Sequence, residues 1–275
     1  MKRLFLAALL GGSLTAQAAT DDTINAAALK AAIDDSRRSA ASKTRDAARH
    51  PHETLTFFGI QPGMTVVELA PGAGWYTEIL APYLRNQGRL IAAGNDPKSS
   101  SERSRAAAAR FQQKLDANPA VFDKVQLGAF EPPANIHYAP KGSVDLVLTF
   151  RNIHNWVPAG EASLKTVFAG VYDSLKPGGV FGVVEHRLPA NQVQDATASS
   201  GYLHQHYVIK LAEGAGFKLA ATSEINANAR DKANHKGGVW ALPPSYTNQD
   251  VDRASYAAIG ESDRMTLKFV KPLSR

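Results

Sequence analysis

Apolar positions along this chain switch repeatedly between two periodicities, and the switching itself predicts an architecture. Met64–Leu69 is a short apolar run with β-branched Val66 and Val67, flanked by Gln61-Pro62-Gly63 and by Gly72-Ala73-Gly74. A run of that kind between turn residues reads as a buried strand. Tyr76, Ile79, Leu80, Tyr83 and Leu84 then recur at i, i+3, i+4, i+7 and i+8, which is one face of a helix. The alternation continues with strands at Arg89–Ala93, Val125–Gly128, Val144–Phe150, Val180–Glu185, Phe217–Thr222 and Met265–Val270. Helices are expected over Pro51–Phe58, Ser101–Ala117, Glu161–Leu175 and Tyr202–Ala215, with Lys176-Pro-Gly-Gly179 as a stop-and-turn signal. Apolar strands alternating with amphipathic helices predict a doubly wound, mostly parallel α/β sheet. Asn226–Glu261 is long and irregular and carries Pro243-Pro244; a loop of that length reads as a cover or a functional segment. No internal repeat and no second-domain boundary interrupts the pattern.

The first residues follow a different logic. Lys2 and Arg3 give a positive start, Leu4–Leu14 is apolar but for Gly and Ser, and Ala16-Gln17-Ala18 is a small-x-small site. This is the pattern of a secretory signal peptide over residues 1–18, cut after Ala18. The apolar run is well short of the roughly 20 residues that span a bilayer, so no stable membrane insertion is expected. The expected destination is the periplasm or the medium. Residues 19–44, rich in Ala, Ser and Asp, read as a loose leader with a short helix near Asn25–Ser36, and residues 45–275 as the folded domain.

Composition narrows the function classes. The 275 residues carry a net charge of +6, which falls by two when Lys2 and Arg3 are removed. The basic residues are spread along the chain, so nucleic acid is not an expected partner; a small molecule is. There is no cysteine, which excludes disulfides, thiolate metal sites and cysteine nucleophiles. No metal is expected, because nothing in the spacing strongly supports a set built from His186, His204 and His206. Nothing in the sequence speaks to oligomeric state.

Candidate chemistry concentrates where the first strand ends. In such sheets ligands bind beyond the carboxyl ends of the strands. Glu68-Leu-Ala-Pro-Gly72-Ala-Gly74 closes the strand and opens a helix. Its glycines let backbone approach a ligand, and the helix start offers free N–H groups. A dinucleotide site would want a third glycine at position 77, which is Thr, and would not want Glu68 facing a pyrophosphate. A ligand with a cationic amino-acid portion suits Glu68 better. Asp96, 22 residues past Gly74, is placed to accept hydrogen bonds from a ribose, with Asn95 as the neighbouring candidate.

At these residues the chain resembles the class I S-adenosylmethionine-dependent methyltransferases. Glu68-Leu-Ala-Pro-Gly-Ala-Gly74 resembles their first motif, Val144–Trp156 their fourth, and Leu175–His186 the turn and fifth strand. Arg45–Pro51 and Gly260–Pro272 resemble more narrowly a group of exported bacterial predicted methyltransferases. The resemblance implies a Rossmann-like sheet of seven strands with the last antiparallel, and S-adenosyl-L-methionine as methyl donor. By that resemblance Ala70, Pro71, Gly72 and Gly74 hold the amino-acid part of the donor, Glu68 orients the loop, Asp96 or Asn95 takes the ribose and Phe130 flanks adenine. Arg151–Trp156 line the methyl end, and the ring of Tyr76 shapes the cation site or belongs to the core. Candidates for a general base are His154 first, then Glu185 and His186. Arg45, Asp46 and Arg49 are either an ion-paired helix face or a lid over the donor. Because the donor is made in the cytoplasm, export raises the alternative of a non-catalytic periplasmic binding protein that keeps the fold and the nucleoside pocket.

Overall fold

The computed structural model describes the backbone of residues 11–273 and the side chains from residue 23 onward. The positive start and most of the apolar run of the expected signal peptide lie outside the described residues. In chain order the elements are α1 (Gly11–Asp34), α2 (Ala40–Lys43), α3 (Asp46–Arg49), α4 (Pro51–Phe58), β1 (Thr65–Leu69), α5 (Thr77–Leu84), β2 (Arg89–Gly94), α6 (Glu102–Asp116), α7 (Pro119–Phe122), β3 (Gln126–Ala129), β4 (Val144–Phe150), α8 (Ile153–Trp156), α9 (Glu161–Ser174), β5 (Leu175–His186), α10 (Gln205–Gly214), β6 (Lys218–Ser223), α11 (Arg253–Ile259) and β7 (Arg264–Val270). No helix among the described residues is long and apolar enough to cross a membrane.

The seven strands form one sheet in the order β3-β2-β1-β4-β5-β7-β6. β7 runs antiparallel to both of its neighbours, while the pairs among β1 to β5 are parallel. This is the seven-stranded, Rossmann-like arrangement with an antiparallel last strand. The chain steps outward one way through β2 and β3, then returns to place β4 on the other side of β1. The β1–β4 boundary is therefore the topological switch point, where the loops that follow diverge and leave a crevice. The glycine-rich turn after Leu69 opens there.

Alternate residues of each strand face opposite layers. Val67, Val147, Phe181 and Val183 pack with Leu164, Phe168 and Val171 of α9 on one side. Val66, Leu146, Leu148 and Val184 pack with Phe58, Ile79 and Leu80 on the other. Asp145, early in β4, accepts from Thr65 N (2.8 Å) and from Lys176 Nζ (2.6 Å), so it ties strand starts together rather than facing a ligand.

Three regions depart from the expectations. Residues 19–34 are helical, and 35–44 are tied down by specific bonds. Leu29, Ala32 and Ile33 recur at i, i+3 and i+4 and are buried against the α4–α5 layer. Arg38 forms a two-pronged pair with Asp46 at 2.8 Å on each arm, and Trp75 Nε1 donates to Ser42 O at 2.9 Å. β5 begins at Leu175, five residues early, with a register shift against β4. Finally, α10 begins at Gln205. Tyr202 instead lies in an extended stretch whose hydroxyl donates to buried Asp231 (2.9 Å), a long-range bond that helical periodicity does not encode. Asp231 also receives Ala233 N, Asp263 N and His235 Nε2, each at 2.8 Å, which pins the 226–261 segment as a fixed cover.

Candidate functional site

The turn after β1 takes its shape from three left-handed residues: Ala70 (φ 48°), Gly72 (59°) and Gly74 (78°). The conformation costs a non-glycine residue about 1–2 kcal/mol. At Ala70 it is held by the Ala70 N–H to Ala93 O bond (2.7 Å) and by Asn152 Nδ2, which donates to Leu69 O (3.1 Å). A Cβ added at Gly72 would meet nothing within 4 Å. Its backbone therefore lies bare on a cleft of about 1600 Å³, lined by Ala70, Pro71, Gly72, Asn95, Asp96 and Asn152 among others.

Glu68 and Thr77, the two residues that argue against a dinucleotide, are partners. The Thr77 hydroxyl donates to Glu68 Oε2 at 2.6 Å across the turn. Glu68 is 2% exposed, and burial pushes its pKa up to about 8 against the opposing pull of the Thr77 bond, Arg151 and Lys114. The missing third glycine is thus the anchor that ties strand end to helix start. Tyr76, just before α5, is buried and stacks on Phe150 with ring centroids 3.5 Å apart; it is not among the residues lining the cleft.

Asp96 and Asn95 stand at the rim beyond β2. Asp96 Oδ1 accepts from Lys98 N (2.8 Å) and Oδ2 from Asn135 Nδ2 (3.1 Å), so the carboxylate is already oriented by its own turn. Phe130 follows β3 with its N–H on Gly94 O (2.6 Å). Its ring is buried against Tyr138 and Trp156 (centroids 5.8 and 5.2 Å), and the cleft wall at this level is Leu127, Gly128 and Ala129.

The three base candidates meet. Glu185 is fully buried at the end of β5. Its Oε2 accepts from Ile153 N (2.6 Å) and His154 N (3.3 Å), and its Oε1 from His186 N (2.8 Å). Facing His154 Nδ1 at 2.9 Å, Glu185 acts as acceptor, which assigns the proton to Nδ1 and leaves Nε2 with a free lone pair. His186 Nδ1 lies 2.6 Å from Ser262 Oγ. Burial first, and then the guanidinium groups of Arg151, Arg264 and Arg49, push the His186 pKa well below its usual value. Ligating atoms of His154, Glu185 and His186 lie within 4.8 Å of one another, so this trio could hold a metal ion. His204 and His206 stack on each other and belong to a different place, His204 Nε2 lying 3.0 Å from Gln192 O.

A second pocket of about 250 Å³ adjoins this trio. Arg151, left-handed at φ 61° with its N–H on Val184 O (2.7 Å), turns toward it rather than into the larger cleft. Arg45 and Arg49 also line it and pair with Glu261 at 2.8 and 3.2 Å; Arg264 pairs with Glu261 at 3.0 Å. Burial alone would raise the Glu261 pKa, but Arg49, Arg264 and Arg45 outweigh it and hold the carboxyl at about 2. Arg45 and Arg49 thus serve as an ion-paired wall of this pocket. Glu261, Ser262 and Arg264 stand in the 260–272 segment that the resemblance marks, but the sequence predicts neither them nor Trp240 at a site, because no local spacing links positions so far apart in the chain. Asn155 lines both cavities and marks where they meet.

No family model matches the chain. An uncharacterized methyltransferase from Synechocystis sp. is 28% identical over 137 residues, half of this chain and 54% of that protein. The match therefore spans only about half the length of that relative. Among solved structures, a SAM-dependent methyltransferase from Aquifex aeolicus superposes with a TM-score of 0.55 at 14% identity, covering 90% of this chain and 98% of that one. A geranyl diphosphate methyltransferase solved with SAM gives 0.55 at 14% identity over 88% and 94%. A possible exported protein from Bordetella parapertussis gives 0.51 at 14% identity over 83% and 68%. The fold is that of the class I methyltransferases.

Proposed function

We propose that the chain is an S-adenosyl-L-methionine-dependent methyltransferase acting on a small-molecule acceptor. The observation that carries this reading is the bare backbone at Gly72, opening on a large cleft at the β1–β4 switch point whose wall includes Asn95 and Asp96. The likeness to methyltransferases in fold, and over half the chain in sequence, supports it.

Ala70–Gly74 hold the amino-acid end of the donor. Asp96, with Asn95 beside it, accepts from the ribose hydroxyls. Phe130 supports the adenine wall from behind, through Leu127–Ala129. When bound, the donor supplies a methyl group on a positively charged sulfur; the acceptor's lone pair bonds to the methyl carbon while the carbon–sulfur electron pair stays on sulfur. The protein's share is alignment of the acceptor and exclusion of water. Where the acceptor atom carries a proton, His154 Nε2 takes it, with Glu185 holding the ring and stabilising the imidazolium through Nδ1. His186, kept neutral by burial and its cationic surroundings, is a poor proton acceptor and leaves that role to His154.

We further propose export, with residues 1–18 removed. The sequence pattern of that segment supports it, as does the fold shared with a protein described as a possible exported protein. Fractionation of the native host and the mass of the N-terminal peptide test this; a cytoplasmic protein with Met1–Ala18 intact would refute it.

Calorimetric titration of residues 19–275 with the donor and with S-adenosyl-L-homocysteine tests the main reading. One-site binding is expected, and no heat at millimolar ligand would end it. Binding without turnover on a broad acceptor panel would favour the non-catalytic alternative.

A further inference from the structure

The second pocket carries more positive charge than the chain's own carboxylates balance. Arg45, Arg49, Arg151 and Arg264 surround one carboxylate, Glu261, and three of them pair with it directly. Arg151 does not. Its guanidinium makes no hydrogen bond or salt bridge to any described residue, though it lies on the pocket wall. The other carboxylate at hand, Glu185, is saturated by three backbone N–H groups and His154. Four guanidinium groups thus face two carboxylates, one of them fully occupied. Leaving a partly buried guanidinium unpaired is costly unless a ligand offsets the cost. The same cationic surplus makes the pocket a poor host for a divalent metal ion.

The rest of the lining includes the apolar Val239, Trp240 and Pro243-Pro244, with Ser245 and Ser262 as further polar groups. The volume of about 250 Å³ lies below the range of roughly 300–1,000 Å³ usual for small-molecule sites, so the occupant is small. Asn155 joins this pocket to the donor cleft, and His154 lines it.

We propose that this pocket binds the methyl acceptor, and that the acceptor is a small organic anion. Its carboxylate or phosphate sits on Arg151 beside Arg45 and Arg49, its apolar body lies against Trp240 and the prolines, and its reacting atom points past His154 toward Asn155. The proposal rests on the methyltransferase reading, because it needs the neighbouring cleft to be the donor site. Arg151 can approach such a group with two parallel N–H bonds, a geometry lysine cannot match.

Two probes of the anion, benzoate and phenyl phosphate, and one neutral analogue, benzamide, separate the outcomes. Each is titrated by calorimetry into protein already saturated with S-adenosyl-L-homocysteine, and each is tested for its shift of melting temperature on the wild type. At least one anion is expected to bind with one-to-one stoichiometry and to raise the melting temperature, with benzamide at least tenfold weaker. Arg151→Met, checked for native circular dichroism, is expected to weaken the anion at least tenfold, with Arg151→Lys recovering only part. Equal binding of benzamide, no binding by either anion, or an anion affinity unchanged in Arg151→Met overturns the proposal. The donor product is read in the same experiment: its failure to bind sinks the methyltransferase reading, whereas its binding alongside any of those three results sinks the acceptor assignment alone. If phenyl phosphate binds and benzoate does not, the acceptor is a phosphate ester; the reverse names a carboxylate.

Discussion

Replacing Glu68 by Gln should make the protein more stable at alkaline pH, not less. The carboxyl is fully enclosed, has one direct partner in the Thr77 hydroxyl at 2.6 Å, and has its pKa pushed up to about 8 by burial from a usual 4.5. Between those two values the folded state holds a proton that the unfolded state has released, so stability falls as pH rises. Each tenfold change in proton affinity is worth about 1.4 kcal/mol, so the loss across that window is on the order of 5 kcal/mol. Glutamine keeps the shape and still accepts from Thr77 through its amide oxygen, without a titrating proton. Urea denaturation of both proteins at pH 4.5 and pH 8.5 measures the effect. The stability difference, Glu68→Gln minus wild type, is expected to grow by several kcal/mol in favour of the variant between the two pH values. A difference that stays flat within about 0.5 kcal/mol would refute the assignment of a protonated Glu68, and with it the account of Glu68 and Thr77 as a near-neutral latch.

Other outcomes follow from the same geometry. Glu261→Gln strips three arginines of their partner and should cost about 3–5 kcal/mol by the same denaturation assay. The Glu261 carboxyl is held at about 2, so its contribution is fully present above about pH 4.5 and is lost as pH falls toward 2. The wild type should therefore converge on the variant at low pH. Asp96→Ala should weaken donor binding about 10- to 100-fold, the loss of two hydrogen bonds to a charged acceptor; an unchanged affinity by calorimetry would remove Asp96 from the ribose site. His154→Ala should lower kcat about 100-fold or more where the acceptor must lose a proton while leaving donor affinity within a few-fold, and an unaltered kcat would clear His154 of that role. Gly72→Val, placing a branched side chain at φ 59° over the open cleft, should abolish donor binding at a stability cost of about 1–2 kcal/mol.

The parts of the fold that are legible in the sequence are those whose cause is local. Val144–Phe150 is readable because it is buried on both faces, and Pro51–Phe58 because proline marks its start. The glycine turn is readable because left-handed backbone favours glycine at positions 72 and 74, though Ala70 adopts the same conformation with no such mark. The leader's order is harder to see: Leu29, Ala32 and Ile33 describe a helix face, but the Ala-, Ser- and Asp-rich residues around them suggest a loose segment. Position 77 is instructive in another way: its threonine looks like the absence of a motif, and is instead the partner of the glutamate nine residues earlier. The arginine pocket is only partly legible in the sequence: Arg45, Arg49, Arg151 and the 260–272 segment stand out separately, but nothing in their spacing says that they meet. The fold gathers Arg45, Arg49, Arg151, Trp240, Glu261 and Ser262 through the sheet's crossovers and the antiparallel β7.

The central claim is that the cleft beyond β1 and β2 is the donor site. A crystal structure of the protein grown with S-adenosyl-L-homocysteine tests it most directly. The account predicts density for the amino-acid end over Ala70–Gly74, the ribose hydroxyls within hydrogen-bond distance of Asp96 or Asn95, and the sulfur directed toward Asn155. An empty cleft at saturating ligand, or a ligand seated elsewhere on the protein, would contradict it.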